Sequence, residues 1–268
     1  MEFIKAHAYG NDFLFVAESG THGRDAASLA RTLCERHTGV GADGLILYRP
    51  TPAGAAMRLL NADGSHAEVS GNGVRCLAAL VTSARGIGEG ADARQVEPIT
   101  IQTDCGPKVL RLLGVEHGRY AFRAWMGHPS ELREIDLDAA GARVRVAALR
   151  VGNPQCVVLG ARISDTRFRE LGPALERHPA FPEGTNVEFA EVMSPGCVRI
   201  LIWERGVGPT AASGTGACAA AVVAAEYGGA SRDVEVESPG GTQRVEWLSD
   251  GLYLTGSAEI AFRGEWVG

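Results

Sequence analysis

Short apolar runs bounded by turn residues recur along the chain, and two of the longer apolar segments have no polar face at all. Residues 12–17, 45–48 and 57–60 read as strands, and residues 26–35 as a helix. Residues 74–85 and 217–227 are alanine-rich and apolar nearly all round, the pattern of a helix buried on every side. Each of these two helices follows a glycine turn and is expected to lie centrally, surrounded by strands.

The pattern occurs twice. Gly10-Asn11 opens the run at 12–17, and Gly152-Asn153 opens a comparable run at 154–159, displaced by 142 residues. Three further matches are displaced by 143: Gly41-Ala42-Asp43 with Gly184-Thr185-Asn186, residues 57–61 with 200–204, and Ser70-Gly71-Asn72-Gly73 with Ser213-Gly214-Thr215-Gly216. Four matches in the same order point to a duplicated unit. The divide is predicted near residues 116–119, giving an N-terminal half at 1–117 and a C-terminal half at 118–268 whose last residues pack back on the first half.

Composition narrows the partners. A chain of 268 residues with 45% hydrophobic content supports a substantial core, and a net charge of −6 leaves no basic face for nucleic acid or anionic lipid. No apolar run reaches the roughly 20 residues that span a bilayer, and the N-terminus lacks the charged-then-apolar layout of a signal peptide. The reading is a cytoplasmic protein. Its six cysteines lack CxxC spacing and suit reduced, mostly buried thiols, while its seven histidines show no HxH or HExxH pattern, so no metal is expected. Lys5 and Lys108 are the only lysines, which weakens a pyridoxal-phosphate reading that needs one for its Schiff base.

Chemistry concentrates at the two S-G-x-G turns. Glycines at a strand-to-helix junction leave free N–H groups at a helix N-terminus, which attracts a carboxylate. Capping alone would also explain either turn; recurrence in register favours function, with both termini turned toward one substrate across a cleft. A thiol there would be acidified by the helix dipole, whereas Ser70 and Ser213 carry weakly acidic hydroxyls that need an adjacent base to act. Glu204-Arg205-Gly206 ends an apolar strand at 198–203, nine residues before Ser213, and could read the two charges of an amino acid. Asn11, Asn61, Asn153 and Asn186 each sit beside turn signals, and as a set they suggest a ring of amide donors and acceptors.

The strings GNDF (10–13), GADGL (41–45), NADGS-x-AE (61–68), GNGVRC (71–76), GNP (152–154), GTNVEF (184–189), WERGVG (203–208) and GTGACAAA (214–221) together resemble the diaminopimelate epimerase family. The resemblance implies an α/β (α+β) fold of two pseudo-symmetric domains, each a β-barrel-like sheet around a central helix. It implies a homodimer that interconverts LL- and meso-diaminopimelate in lysine and peptidoglycan precursor synthesis, with no cofactor and no metal. One thiolate removes the α-proton while a thiol on the opposite face returns one. Those groups map to Ser70 and Ser213, with Glu204 as a further catalytic candidate. Backbone N–H groups of Gly71, Asn72, Gly214 and Thr215 would hold the reacting carboxylate; Asn61, Asn153, Asn186, Glu204 and Arg205 would read the distal amino-acid end, and Asn11 would line the reacting end.

Two departures bear on turnover. Both acid–base cysteines are serine, and the position after GNP, usually histidine in the family, is Gln155, which cannot accept and release a proton near neutral pH. Three readings stay open: an epimerase whose cysteines were exchanged for serine to trap substrate or prevent a disulfide, a natural amino-acid-binding homologue without catalysis, and a proline- or hydroxyproline-type epimerase or dehydratase.

Overall fold

A computed structural model describes residues 1–21, 23–67 and 70–268. Glu68, the last residue of the motif at 61–68, lies outside the described residues. In chain order the strands and helices are β1 (Glu2–Ala8), β2 (Asn11–Ala17), α1 (Ala26–Cys34), β3 (Gly44–Thr51), β4 (Gly54–Asn61), β5 (His66–Ala67), α2 (Gly71–Ala84), β6 (Ile99–Thr103), β7 (Gly106–Glu116) and β8 (Arg119–Gly127). They continue as β9 (Ser130–Ala139), β10 (Ala142–Val151), β11 (Asn153–Leu159), α3 (Asp165–Glu176), β12 (Asn186–Ser194), β13 (Cys197–Glu204), β14 (Gly208–Thr210), α4 (Gly214–Tyr227), β15 (Asp233–Ser238), β16 (Gly241–Leu248) and β17 (Gly251–Glu265).

Two compact units form, one of Met1–Ala124 with Gly256–Gly268 and one of Trp125–Thr255. The divide expected near residues 116–119 corresponds to the turn between β7 and β8, and the units change over within β8. In the first unit the strands pair in the ring β1–β2–β3–β4–β6–β7–β8–β17, which closes back on β1, so an eight-stranded barrel leaves no edge. Inside it, α2 contacts β1, β2, β4, β6 and β7. Its Val74, Cys76, Leu77, Ala78, Ala79 and Leu80 are all buried, which accounts for its lack of a polar face. The amphipathic α1 instead packs outside on β3 and β4 through Leu29, Ala30 and Leu33.

The second unit repeats this plan in the neighbour order β9–β10–β11–β12–β13–β15–β16–β17, with β14 flanking β13. The correspondence holds at the level of register. Phe13 lies opposite Gly44 and Leu45 opposite Leu60 in the first unit; Gln155 lies opposite Asn186 and Val187 opposite Trp203 in the second. Helix α4 fills this unit's core, with residues from Gly216 to Ala224 buried, and contacts six of its strands. Both core helices begin three residues earlier than the apolar pattern predicts. Ser70 and Ser213 are themselves the N-caps, so the glycine turns form the first helical turn. No helix among the described residues is long and apolar enough to cross a membrane.

Candidate active site

Each S-G-x-G turn is a capped helix start. Ser70 Oγ accepts the Gly73 N–H at 3.2 Å and Ser213 Oγ accepts the Gly216 N–H at 3.1 Å, both from extended backbone. A serine cap contributes about 1 kcal/mol to a helix start, so the two serines have a structural role independent of any chemistry. Gly71 and Asn72, like Gly214 and Thr215, occupy the first helical turn, where backbone N–H groups lack intrahelical acceptors.

In the first unit, the side chain of Asn72 reaches two ways. Its Nδ2 donates to Asn11 Oδ1 at 3.1 Å, and its Oδ1 accepts Arg75 Nη2, an arginine buried in the same helix whose guanidinium lies 5.7 Å from the Tyr9 ring centre. Asn11 Nδ2 donates to Asp43 Oδ2 at 2.7 Å, and Arg36 Nη2 bridges Asp43 and Asp12 at 2.8 Å each. Lys5 Nζ meets Asp12 at 2.9 Å. Burial pushes the Asp12 carboxyl up, but the Arg36 and Lys5 contacts outweigh it and hold the pKa below the usual range. Asn11 is placed by the Tyr9-Gly10 turn, two residues with φ of 57° and 84° joining β1 to β2. Asn61, at the end of β4, donates to Ser65 Oγ at 3.0 Å.

In the second unit, Glu204, Arg205 and Gly206 leave β13 as a turn pinned from below. Asn186 Oδ1 accepts the Arg205 N–H and Glu176 Oε1 the Gly206 N–H, each at 2.9 Å, while Glu176 Oε2 accepts Trp203 Nε1 at 2.8 Å. Arg205 Nη1 donates to Glu183 O at 2.9 Å. The aliphatic stem of Arg205 lies against Gly184, whose φ of 71° suits glycine and where a Cβ would fall 3.0 Å from Arg205 Cδ. Buried Asn186 thus supports the Arg205 turn. Gln155, buried on β11, donates to Asn153 Oδ1 at 2.6 Å.

The sequence reading missed three buried polar side chains here: Arg75, Glu176 and Glu188. Glu188 carried a signal, since it interrupts the apolar run Val187-Glu188-Phe189 of a strand. A cavity of about 290 Å³ in the second unit is lined by Arg133, Arg150, Gln155, Phe181, Glu183 and Gly184 among others. It reaches Gln155 but neither Ser213 nor Glu204. Among the described residues no group of three or more histidine, cysteine or acidic side chains could hold a metal ion.

Comparison with known proteins gives the same assignment as the motifs. The family model described as diaminopimelate epimerase matches residues 3–129 and 147–261. A protein of Desulforudis audaxviator named diaminopimelate epimerase is 44% identical over 284 aligned positions, covering 100% of this chain and 99% of the relative. Among solved structures, a "Predicted Epimerase" of Pseudomonas aeruginosa superposes with a TM-score of 0.72 at 16% identity, covering 100% of this chain and 99% of that one. A hydroxyproline epimerase of Agrobacterium vitis superposes with a TM-score of 0.67 at 17% identity, covering 98% and 91%; at such identities the likeness is one of fold alone. The chain belongs to the diaminopimelate epimerase family, isomerases that act on amino acids.

Proposed function

We propose that this chain binds diaminopimelate and, in its Ser/Ser form, does not invert it. The observation that carries this reading is the pair of equivalent helix starts, each capped by its serine, where the helix dipole favours a carboxylate. Gly71, Asn72, Gly214 and Thr215 hold the reacting carboxylate through backbone N–H groups. A change from thiol to hydroxyl leaves those donors in place. Glu204 and Arg205 read the distal amino-acid end from the turn that Asn186 and Glu176 support, Asn61 and Asn153 are further readers of that end, and Asn11 fixes Asn72 at the reacting end.

Inversion requires a base on one face of the α-carbon and an acid on the other. A thiol near its reference pKa of about 8.5 supplies a useful thiolate fraction at a helix N-terminus, and a serine hydroxyl does not. Gln155, already bonded to Asn153, adds no proton carrier. In this reading the protein works in the cytoplasm as a homodimer, without cofactor, on a small-molecule ligand.

Calorimetry tests it. LL- or meso-diaminopimelate should bind with no change in isomer ratio by NMR. Arg205→Ala should weaken binding by about 1.5–3 kcal/mol, the range for hydrogen bonds to charged groups. Equal affinity for proline or hydroxyproline would overturn the diaminopimelate reading in favour of a hydroxyproline-type activity.

A further inference from the structure

A single chain of hydrogen bonds runs past the start of α2, and its two ends are of opposite kind. At one end the Asp43 carboxylate is held by Arg36 Nη2 at 2.8 Å and by the Asp12 N–H at 3.1 Å. A carboxylate only accepts, so the group Asn11 turns toward it is Nδ2, at 2.7 Å. Asn11 Oδ1 then faces the other way and accepts Asn72 Nδ2 at 3.1 Å, which turns Asn72 Oδ1 toward Arg75 Nη2. A guanidinium only donates, so the far end imposes the same direction on the chain. Flipping either amide would set oxygen against oxygen or N–H against N–H.

Arg75 is buried in α2, whereas the place 143 residues further on, Cys218 in α4, holds a buried thiol. Taking a guanidinium out of water is costly unless protein groups replace its hydration. The second unit repeats the same plan around a neutral residue, so packing a central helix does not by itself call for the charge. The guanidinium of Arg75 also lies over the ring of Tyr9, whose hydroxyl accepts the Ser257 N–H at 3.0 Å. Strand β17 passes close to both: a Cβ on Gly256 would fall 3.0 Å from Tyr9 Oη and 3.3 Å from Arg75 Cζ. Arg75 therefore holds Asn72 within its own helix and, through Tyr9, the turn that carries Asn11.

We propose that Asp43 and Arg75 are positioning residues for ligand capture: acceptor-only at one end and donor-only at the other, they lock the amides of Asn11 and Asn72 in one orientation. The inference rests on the reading of Asn11 and Asn72 as residues of the reacting end. An amide nitrogen carries two hydrogens. One of Asn11's goes to Asp43, and the lock keeps the second in place as a donor to the ligand's carboxylate, beside the backbone N–H of Asn72. Neither Asp43 nor Arg75 needs to touch the ligand.

The first test needs no ligand. Exchange of the side-chain NH2 hydrogens of Asn11 and Asn72 with deuterated water is followed by 15N NMR, the two signals being assigned from the spectra of Asn11→Ala and Asn72→Ala. Both should exchange slowly in the parent. Arg75→Met, which fills similar space without a donor, should speed both by about tenfold or more while circular dichroism shows the fold unchanged, and Arg75→Lys, which keeps a donor, should hold them within a few-fold of the parent. Amides that exchange alike in the parent and in Arg75→Met overturn the lock.

Calorimetry with diaminopimelate is the second test. Arg75→Met should weaken binding by about tenfold or more, as should Asp43→Asn, whose amide can donate as well as accept; Arg75→Lys should change it no more than a few-fold. Asn11→Asp combined with Asp43→Asn turns the polarity round: positions 11 and 43 can bond again, but position 11 has no hydrogen left for a carboxylate, so binding should stay lost. Parental affinity in Arg75→Met or in the reversed pair overturns the proposal. A parent that binds no diaminopimelate sinks the reading of the ligand instead, and the exchange measurement still decides the lock.

Discussion

The two units share a backbone plan down to strand register, yet differ where their core helices begin. Beside the first turn of α2 lies Ile46; beside that of α4 lies Glu188. At the end of α1, Cys34 joins an apolar cluster and its carbonyl accepts the Ala42 N–H at 3.1 Å. At the end of α3, Glu176 does the same for Thr185 at 3.1 Å, but its side chain goes on to hold the Arg205 turn. Asn61 ends β4 where Glu204 ends β13. The second unit thus carries a carboxyl at three places where the first carries an apolar or neutral side chain. Duplication has kept what the backbone must do, which is to enclose a helix and present its start. Which unit handles charge was left to strand and helix-end side chains.

The largest test of the comparison is chemical. Ser70→Cys together with Ser213→Cys should restore interconversion of LL- and meso-diaminopimelate, while either single change should stay about a hundredfold or more slower, because each direction of inversion uses both groups. Thermal denaturation should show a small opposing effect: each serine cap is worth about 1 kcal/mol, and a thiol accepts hydrogen bonds weakly. A double variant that binds diaminopimelate but exchanges no α-proton would remove Ser70 and Ser213 from the mechanism.

Next comes the pair of helix ends. Glu176→Ala strips acceptors from Trp203 Nε1 and the Gly206 N–H, and a buried donor left without an acceptor costs about 1–3 kcal/mol. It should also weaken binding of diaminopimelate more than of a ligand lacking the second head group, since it loosens the turn that carries Arg205. Cys34→Ala, at the corresponding apolar place, should cost stability only. Equal losses for both ligands in Glu176→Ala would show that the carboxylate has no part in recognition.

Period and composition were enough to expose the duplication, because an all-round apolar helix following a glycine turn is rare and here occurs twice at nearly constant displacement. The same patterns located β2, β3, β4 and β13 to within a few residues. The helix starts were read too late, since Gly71-Asn72-Gly73 has poor helix propensity and only the Ser70 cap and the surrounding strands hold it helical. The candidate site was legible as glycine, serine and asparagine signatures, which are local. Its supports were not: Glu176, Glu188 and Arg75 sit inside helix or strand patterns, and their significance depends on which element packs against them. The asparagines show the same limit. Asn11 and Asn186 are legible as neighbours of turns, but their partners, Asp43 and the Arg205 N–H, lie 32 and 19 residues away.

The finest distinction between the units is how their acids respond to pH. Asp12 is half-buried beside Lys5 and Arg36, and these contacts outweigh its partial burial and hold its folded pKa below the unfolded value of 3.8. Folding therefore favours its charged form; that stabilisation is complete above the unfolded pKa and is lost as pH falls through the folded one. Glu188 has the opposite sign. Burial, reinforced by Glu204, raises its folded pKa well above 4.5, so between those two values the folded state holds a proton that the unfolded state has released. Its contribution is fullest below the unfolded pKa and declines as pH rises, at a slope of at most about 1.4 kcal/mol per pH unit for one proton. Denaturant unfolding at several pH values should accordingly find that Glu188→Gln gains stability relative to the parent as pH climbs from 4.5 toward neutrality, because a neutral amide has no proton to lose. Asp12→Asn should show its largest deficit near neutral pH and a shrinking one in acid. If the Glu188→Gln difference is flat with pH, Glu188 is ionised throughout in the folded protein, and the contrast between a paired acid in one unit and a desolvated acid in the other is lost.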